Sequence, residues 1–411
     1  MTTKPPMLSV SEARQFLLGA ARPVTETETV STLDATGRVL ATEQRSQLNV
    51  PPMDNTQMDG YAVRAADCAS GQAVLPVSQR IPAGHVGERL KPGTAARIFT
   101  GALIPEGADA VVMQEQCIFD AATGSVTVNH APRSGEWVRR AGEDIREASV
   151  ILAAGTRLRA QELGLAASVG LADLPVFRRL KVAVFFTGDE LTMPGEPLRP
   201  GAIYNSNRFM LRGLLQQLGC DITDLGNVPD SLEATKQALR KAAAGHDLIV
   251  TSGGVSVGEE DHIKPAVEAE GRLNMWQIAI KPGKPLAFGE VGAVGDDRNA
   301  FFIGLPGNPV SSFVTFLIFV RPFIQALQGS TPLSPRSYPM RADFSWSKPD
   351  RRNEFLRVRI NDKGGLDLFP NQSSGVLTST VWGDGLIDNP PGQAISAGDT
   401  VNFLSFSDLL Y

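Results

Sequence analysis

The chain has 411 residues, 42% of them apolar and 20% charged, with 39 basic against 44 acidic side chains for a formal charge of −5. That length supplies core for two to four domains, and the composition excludes a disordered or low-complexity chain. The acidic balance argues against a general nucleic-acid surface while leaving room for a local basic site that takes a small anion. Forty glycines and 28 prolines predict many turns and short strands rather than a helical bundle.

The three cysteines, Cys68, Cys117 and Cys220, are scattered and form no CxxC. A thiolate zinc site and a disulfide scaffold are therefore not expected, and the odd count fits a reducing compartment. Residues 1–7 have no apolar segment of a signal peptide. The most apolar stretch, 310–320, stops at Arg321-Pro322 and is too short to span a membrane. The expectation is a soluble cytoplasmic protein with no membrane and no nucleic-acid partner.

In chain order, Ser9 and Glu12 have capping-box spacing, and Ala13, Phe16 and Leu17 share a face, which predicts a helix over 9–20. Short apolar pieces at 72–77, 95–99, 110–114 and 125–128, separated by glycine and proline, predict an all-β module over about 50–150. A helix is expected again over 156–170. One helix at each end of the β-rich insert predicts that the two pair and carry it as a stem.

From 180 to 326 the pattern is strand, helix, strand around a mainly parallel sheet. Strands are expected at 181–186, 247–250 and 301–305. Helices are expected at 207–218, with Phe209 among its buried residues, at 230–244, with Asp230 as its cap, and from Val310. Residues 330–339 read as a linker. Strands at 355–360, 366–369, 376–378 and 401–403 then predict a small β domain or barrel, with Phe355, Arg357 and Arg359 alternating against Leu356, Val358 and Ile360.

Ligands in open parallel sheets sit beyond the carboxyl ends of the strands. Three loops leaving apolar strands there are polar or glycine-rich: 187–190, 251–261 and 304–312. Gly253 and Gly254 with the hydroxyls of Thr251, Ser252 and Ser256 suit an oxyanion, although the pattern is not that of a nucleotide P-loop. Asp189, Glu190, Glu259, Glu260 and Asp261 lie in the same loops. Beside a phosphate they call for a cation, and magnesium suits one or two carboxylates plus substrate phosphates; Glu190 and Asp261 are the first choices, against capping or solvent-facing roles. Lys281-Pro282-Gly283-Lys284-Pro285 is a rigid turn with two ammonium groups, expected at a sheet edge by the following strand 286–288. It reads either as an oxyanion site or as a solvated turn. On the insert, Asp59 before Gly60 could hold a proton, a metal or an Asx turn, and Arg139 to Asp144 and Thr100-Gly101 are further candidates. The four histidines have no metal spacing, and no nucleophile elbow occurs.

Taken together, Met58-Asp59-Gly60-Tyr61-Ala62, Arg97-Ile98-Phe99-Thr100-Gly101-Ala102, Gly142-Glu143-Asp144, Thr187-Gly188-Asp189-Glu190-Leu191, Thr251-Ser252-Gly253-Gly254-Val255-Ser256-Val257-Gly258, Lys281-Pro282-Gly283-Lys284-Pro285 and Gly304-Leu305-Pro306-Gly307-Asn308-Pro309 resemble the MoeA family of molybdenum-cofactor biosynthesis. The motifs occur in order over most of the chain; the C-terminal part matches least clearly.

The resemblance implies an elongated multidomain α/β plus β fold. Its parts are a helical stem (1–45 and 149–178), a β-rich insert (46–148), a three-layer α/β molybdopterin-binding domain (179–328) and a C-terminal β-barrel-like domain (329–411). It implies a homodimer whose cleft lies between the α/β domain of one subunit and the insert of the other. The implied reaction places molybdenum from molybdate on adenylylated molybdopterin, hydrolyses the adenylyl bond and releases AMP, supported by Mg2+. Carried over from the family, Asp59, Thr100, Asp144 and Glu190 are catalytic-site residues, and Glu190 and Asp261 hold metal. Arg139, Asp189, Asp230, Ser252, Gly253, Gly254, Ser256, Lys281, Lys284, Pro306, Pro309, Arg357 and Ser374 bind pterin, phosphate or molybdate. At Val228-Pro229-Asp230 relatives often carry a charged pair. Transient contact with the molybdopterin adenylyltransferase and with molybdoenzyme maturation proteins is also expected. The rival readings are a nucleotide pyrophosphatase, an adenylyltransferase-like enzyme, and a noncatalytic scaffold or molybdate sensor.

Overall fold

The computed structural model describes residues 7–255, 262–292, 299–330 and 334–410. The first helix, Val10–Ala20, carries the expected capping box: Glu12 N donates to Ser9 Oγ at 3.2 Å, and Ser9 N donates to Glu12 Oε2 at 2.8 Å. The second, Ala160–Ser168, starts later than expected, because the segment ahead of it is extended, with Arg157 bridged to Val39 and Leu158 N donating to Arg38 O at 2.8 Å. The two helices do not share a core. Ala13 and Leu17 pack into the α/β domain, whereas Ala166 packs with Leu40, Leu174 and Val176. The stem segments meet instead through antiparallel strands, Thr27–Ser31 against Asp173–Phe177. Alternate burial along the second strand is the physical basis of that pairing.

The insert is a six-stranded sheet in the order Ala110–Met113, Gly60–Val63, Ala95–Ile98, Ala73–Ile81, Ser125–Val128, Cys117–Asp120. Tyr61 and Val63 face one apolar core and Ala62 the other. Gly60 has no alternative residue: a Cβ there would lie 2.0 Å from Val112 O.

The α/β domain is a six-stranded sheet ordered Asp221–Val228, Lys181–Thr187, Leu248–Ser252, Asn299–Leu305, Pro285–Gly292, Gly271–Gln277. The first four strands run parallel and the last two pair antiparallel. Residues 286–288 are therefore flanked on both sides, and the 281–285 turn sits at the end of a strand, not at a sheet edge. Val182, Val184 and Phe186 face one layer, which includes helices Ser206–Gln217 and Val10–Ala20, while Ala183 and Phe185 face helices Leu232–Ala243 and Ile263–Glu270. Two sequence expectations shift here. Phe209 is exposed, because Leu211, Leu214 and Leu215 take the inner face of its helix. The cap of Leu232–Ala243 is Ser231, whose Oγ accepts from Ala234 N, rather than Asp230.

Helical backbone also runs past Arg321-Pro322. A wide π turn at Phe316–Val320 joins Pro309–Thr315 to Arg321–Leu327, with Pro322 in the first turn of the last segment. These 19 residues have the length and apolarity to cross a bilayer but are wholly buried in the core.

In the C-terminal domain, Asn353–Ile360, Gly385–Asn389, Thr400–Ser405 and Tyr338–Arg341 pair in turn. Leu366–Leu368 pairs with Asn353–Ile360, and a bridge from Leu366 to Ala342 closes the ring. Closure buries both faces from Glu354 to Val358, and Arg359 and Ile360 are both exposed, so the alternation read along 355–360 does not appear as a buried and an exposed face. The expected strand at 376–378 is instead a turn into a short helix, Thr378–Trp382. There the Ser379 and Thr380 hydroxyls donate back to Val376 O and Leu377 O. The α/β segment also reaches this domain: Ile280–Lys281 lies parallel to Asn353 and Glu354.

Candidate active site

A cavity of about 600 Å3 opens beyond the carboxyl ends of strands Lys181–Thr187, Leu248–Ser252 and Asn299–Leu305. Of the residues expected from sequence, Glu190, Asp230, Gly253, Gly254, Lys281, Lys284, Pro306 and Ser374 border it. Thr187, Asn308 and Ser311, from the loops singled out in the sequence, border it as well, and so do Arg352, Gln372 and Ser373, which sequence reasoning missed.

Glycine at 253 and 254 is required by shape. Both have positive φ, +101° and +61°; a Cβ on Gly253 would lie 2.3 Å from Thr187 O, and one on Gly254 would lie 2.9 Å from Thr187 Oγ1. Ser252 lies behind the wall, not in the cavity. Its Oγ donates to Pro306 O at 2.9 Å and accepts from Asn207 Nδ2 at 2.8 Å. The same Asn207 Nδ2 donates to Gly307 O at 2.7 Å, and Ser312 Oγ donates to Pro306 O. Asn207, another residue the sequence reading missed, thus ties two cavity loops together from the start of its helix, which Asn205 caps. Pro309 opens the next helix and does not border the cavity.

Lys281 Nζ lies 3.1 Å from Glu354 Oε1 and 3.5 Å from Asp350 Oδ2. Arg352 donates to both oxygens of Asp350 at 2.9 and 2.8 Å and holds that carboxyl well below its usual range. Arg357 is not a ligand-facing cation. It is buried, its guanidinium donates to Ser379 Oγ, Ser373 O and Phe355 O, and burial pushes its pKa down to about 10. Gln372 accepts from Arg357 N at 2.9 Å and donates to Arg357 O at 3.0 Å. Arg357 therefore shapes the 372–374 loop that borders the cavity. Asp189 Oδ1 accepts from Asp230 N at 3.3 Å, which joins two loops of the rim. Ser256, Glu259, Glu260 and Asp261 lie outside the described residues.

A second cluster stands on the insert. Asp59 Oδ1 accepts from Thr100 N and Thr100 Oγ1, both at 2.7 Å, and these bonds hold its carboxyl below the usual aspartate range. Arg139 and Asp144 are exposed in the same domain, next to a lock in which Arg140 Nη1 donates to Asp54 Oδ2 at 2.6 Å. None of Asp59, Thr100, Arg139 and Asp144 borders the α/β cavity of their own chain. Among the described residues, no group of three or more His, Cys, Asp and Glu side chains converges as a metal site. The charged groups bordering the cavity are instead two carboxylates, Glu190 and Asp230, beside Lys281, Lys284 and Arg352. That set suits a cation held mainly by substrate phosphates.

Residues 8–170 match the family model for the MoeA N-terminal region (domain I and II), 183–326 the model described as "Probable molybdopterin binding domain", and 339–406 that for the MoeA C-terminal region (domain IV). The chain is 39% identical over 411 residues to a molybdopterin molybdenumtransferase of Haemophilus influenzae, covering 98% of this chain and 100% of the relative. It is 34% identical over 393 residues to that of Bacillus subtilis, covering 92% and 90%. A crystal structure of the molybdopterin biosynthesis moeA protein from Pyrococcus horikoshii OT3 superposes with a TM-score of 0.84 at 27% identity, covering 98% of this chain and all of that one. With its three regions matched in order and whole-length relatives above 30% identity, the chain belongs to the MoeA family of molybdopterin molybdenumtransferases.

Proposed function

We infer that the chain is the enzyme that inserts molybdenum into molybdopterin to form molybdenum cofactor, acting on the adenylylated intermediate and releasing AMP. One observation carries the placement of this chemistry: glycine-loop backbone, two lysines and two carboxylates converge on a single cavity at the carboxyl ends of parallel strands. The amides beside Gly253 and Gly254 and the ammonium groups of Lys281 and Lys284 hold the phosphate and molybdate oxygens. Glu190, with Asp261 and the substrate phosphates, would hold magnesium. When bound, that ion polarises the pyrophosphate and offsets the charge it develops.

The Asp59 cluster joins this cavity from a second copy of the chain. With its carboxyl lowered by Thr100, Asp59 stays ionised near neutrality and is a poor general base; it positions the water or oxyanion. A pyrophosphatase or a simple binding protein would leave this cluster without a use. Homodimerisation, a cytoplasmic location and transient contact with the adenylyltransferase that supplies the substrate and with molybdoenzyme maturation proteins belong to the same reading.

The test incubates the purified chain with adenylylated molybdopterin, Mg2+ and molybdate or tungstate, following AMP release and metal incorporation together. Molybdate-dependent AMP release that falls about tenfold or more in Asp59→Asn, with folding retained, is the expected result. Release independent of molybdate would favour the pyrophosphatase, and incorporation of tungsten alone would overturn the choice of metal. Sedimentation as a monomer under turnover conditions would overturn the shared cleft.

A further inference from the structure

Next to the Asp59 pair the insert carries a feature with no part in the site so far. Strands Ala73–Ile81 and Ala95–Ile98 run parallel with Arg80 directly opposite Arg97, and Arg97 is in turn opposite Tyr61. Like charges placed directly across a ladder cost stability. Among the described residues neither arginine has a carboxylate within ion-pair distance, and Arg97 alone acts on an acid, the Asp59 carboxyl. What they share is Phe99: both guanidinium carbons lie 4.6 Å from the centre of its ring, and that of Arg97 lies 5.3 Å from the Tyr61 ring.

Arg97 is fixed in place. Its two terminal nitrogens donate to Gly60 O at 3.0 Å and Gln114 Oε1 at 2.7 Å, which leaves three of its five N–H groups for other acceptors. Arg80 is exposed and Phe99 half-buried. The patch is continuous with the Asp59 pair through the chain itself, since Phe99 precedes Thr100 and Gly60 follows Asp59. Two cations, of which only Arg97 acts on an acid, Asp59, are backed by an aromatic ring and carry planar guanidinium groups, and so have the chemistry of a site for a phosphate ester bearing a flat heterocycle.

We propose that Arg80, Arg97 and Phe99 form a platform on the insert for the adenylate end of the substrate, the arginines taking its phosphate and the ring and guanidinium planes its base. This rests on the reaction proposed above. The glycine loops and lysines of the α/β cavity take the molybdopterin side, so the adenylate is the part of the substrate left for the insert. Arg80 and Phe99 are binding residues in this assignment; the chemistry stays with the Asp59 and Glu190 groups.

The test is calorimetric titration of the full chain with AMP, adenosine and ribose 5-phosphate, comparing the parent with Arg80→Ala, Arg80→Lys and Phe99→Leu, whose thermal melts confirm folding. AMP affinity should fall about three- to tenfold in Arg80→Ala. Arg80→Lys should recover ribose 5-phosphate binding more fully than adenosine binding, because it restores charge without a plane. Phe99→Leu should weaken adenosine more than ribose 5-phosphate. In turnover, Arg80→Ala should raise the KM for adenylylated molybdopterin more than it lowers kcat. Equal AMP affinity in the parent and Arg80→Ala overturns the platform whether or not the parent releases AMP. A parent that binds AMP through Arg80 yet forms no cofactor overturns the proposed reaction and leaves the platform standing.

Discussion

Lys281 Nζ stands 3.1 Å from the carboxylate of Glu354, a residue with no exposed surface that belongs to a different domain and lies 73 positions further along the chain. The same carboxylate accepts from Trp346 Nε1 at 2.9 Å and from Asp350 N at 3.1 Å. The ammonium group offered to the cavity is thereby anchored from the barrel. Replacing Glu354 with alanine strands all these donors and should cost about 3 kcal/mol, read as a lower midpoint in urea. Glu354→Gln keeps an acceptor for Trp346 and should lose clearly less. Equal midpoints for parent and alanine variant would refute the anchor.

Asn207 clamps Ser252 to Gly307 with one amide nitrogen in a buried setting. Asn207→Ala leaves those acceptors unpaired, which should cost about 1–3 kcal/mol. Because the clamped loops border the cavity, the KM for adenylylated molybdopterin should rise as well. A variant with reduced stability and an unchanged KM would show that the clamp serves only the fold.

At Gly253 the limit is geometric. A methyl group there meets Thr187 O at 2.3 Å and needs a left-handed backbone, so Gly253→Ala must displace the loop. Turnover should drop by about tenfold or more, while Gly245→Ala, also at positive φ but with nothing within 4 Å, should leave turnover intact. Comparable losses in the two variants would mean that backbone strain alone, rather than the packed cavity wall, sets the effect.

Stability should fall in acid for an identifiable reason. Thr100 lowers the Asp59 carboxyl below 3.8, and Arg159 and Arg240 lower Glu162 and Glu270 below 4.5. As pH drops, the unfolded chain takes up protons first, so the contribution of these groups is complete above the unfolded values and disappears through the lower folded ones. The melting temperature should hold from neutrality down to about pH 5 and then decline steadily toward about pH 3. A flat profile across that interval would contradict the lowered carboxyls.

The capping box of Ser9 and Glu12, the apolar strand at 181–187 and the glycines at 253 and 254 were all legible because each depends on neighbours within a few residues. Local signals failed where a second element overrode them. Ser231 displaced Asp230 as a cap by one position, Phe209 turned outward because three leucines filled the inner face, and barrel closure buried Arg357, read from the sequence as an anion-binding residue.

Alternation, capping spacing and loop composition are written along the chain, so the sequence alone determined the strands at 181–186, 247–250, 286–288 and 301–305, most helices and the chemical kinds of group available for binding oxyanions. The partners of those groups were decided only by the tertiary structure: Glu354 behind Lys281, Asn207 between two loops, and Arg80 across from Arg97. The reason is physical. Burial periodicity records which way a side chain faces its own element, whereas a contact between residues far apart in the chain leaves no periodic trace and exists only once the layers have packed.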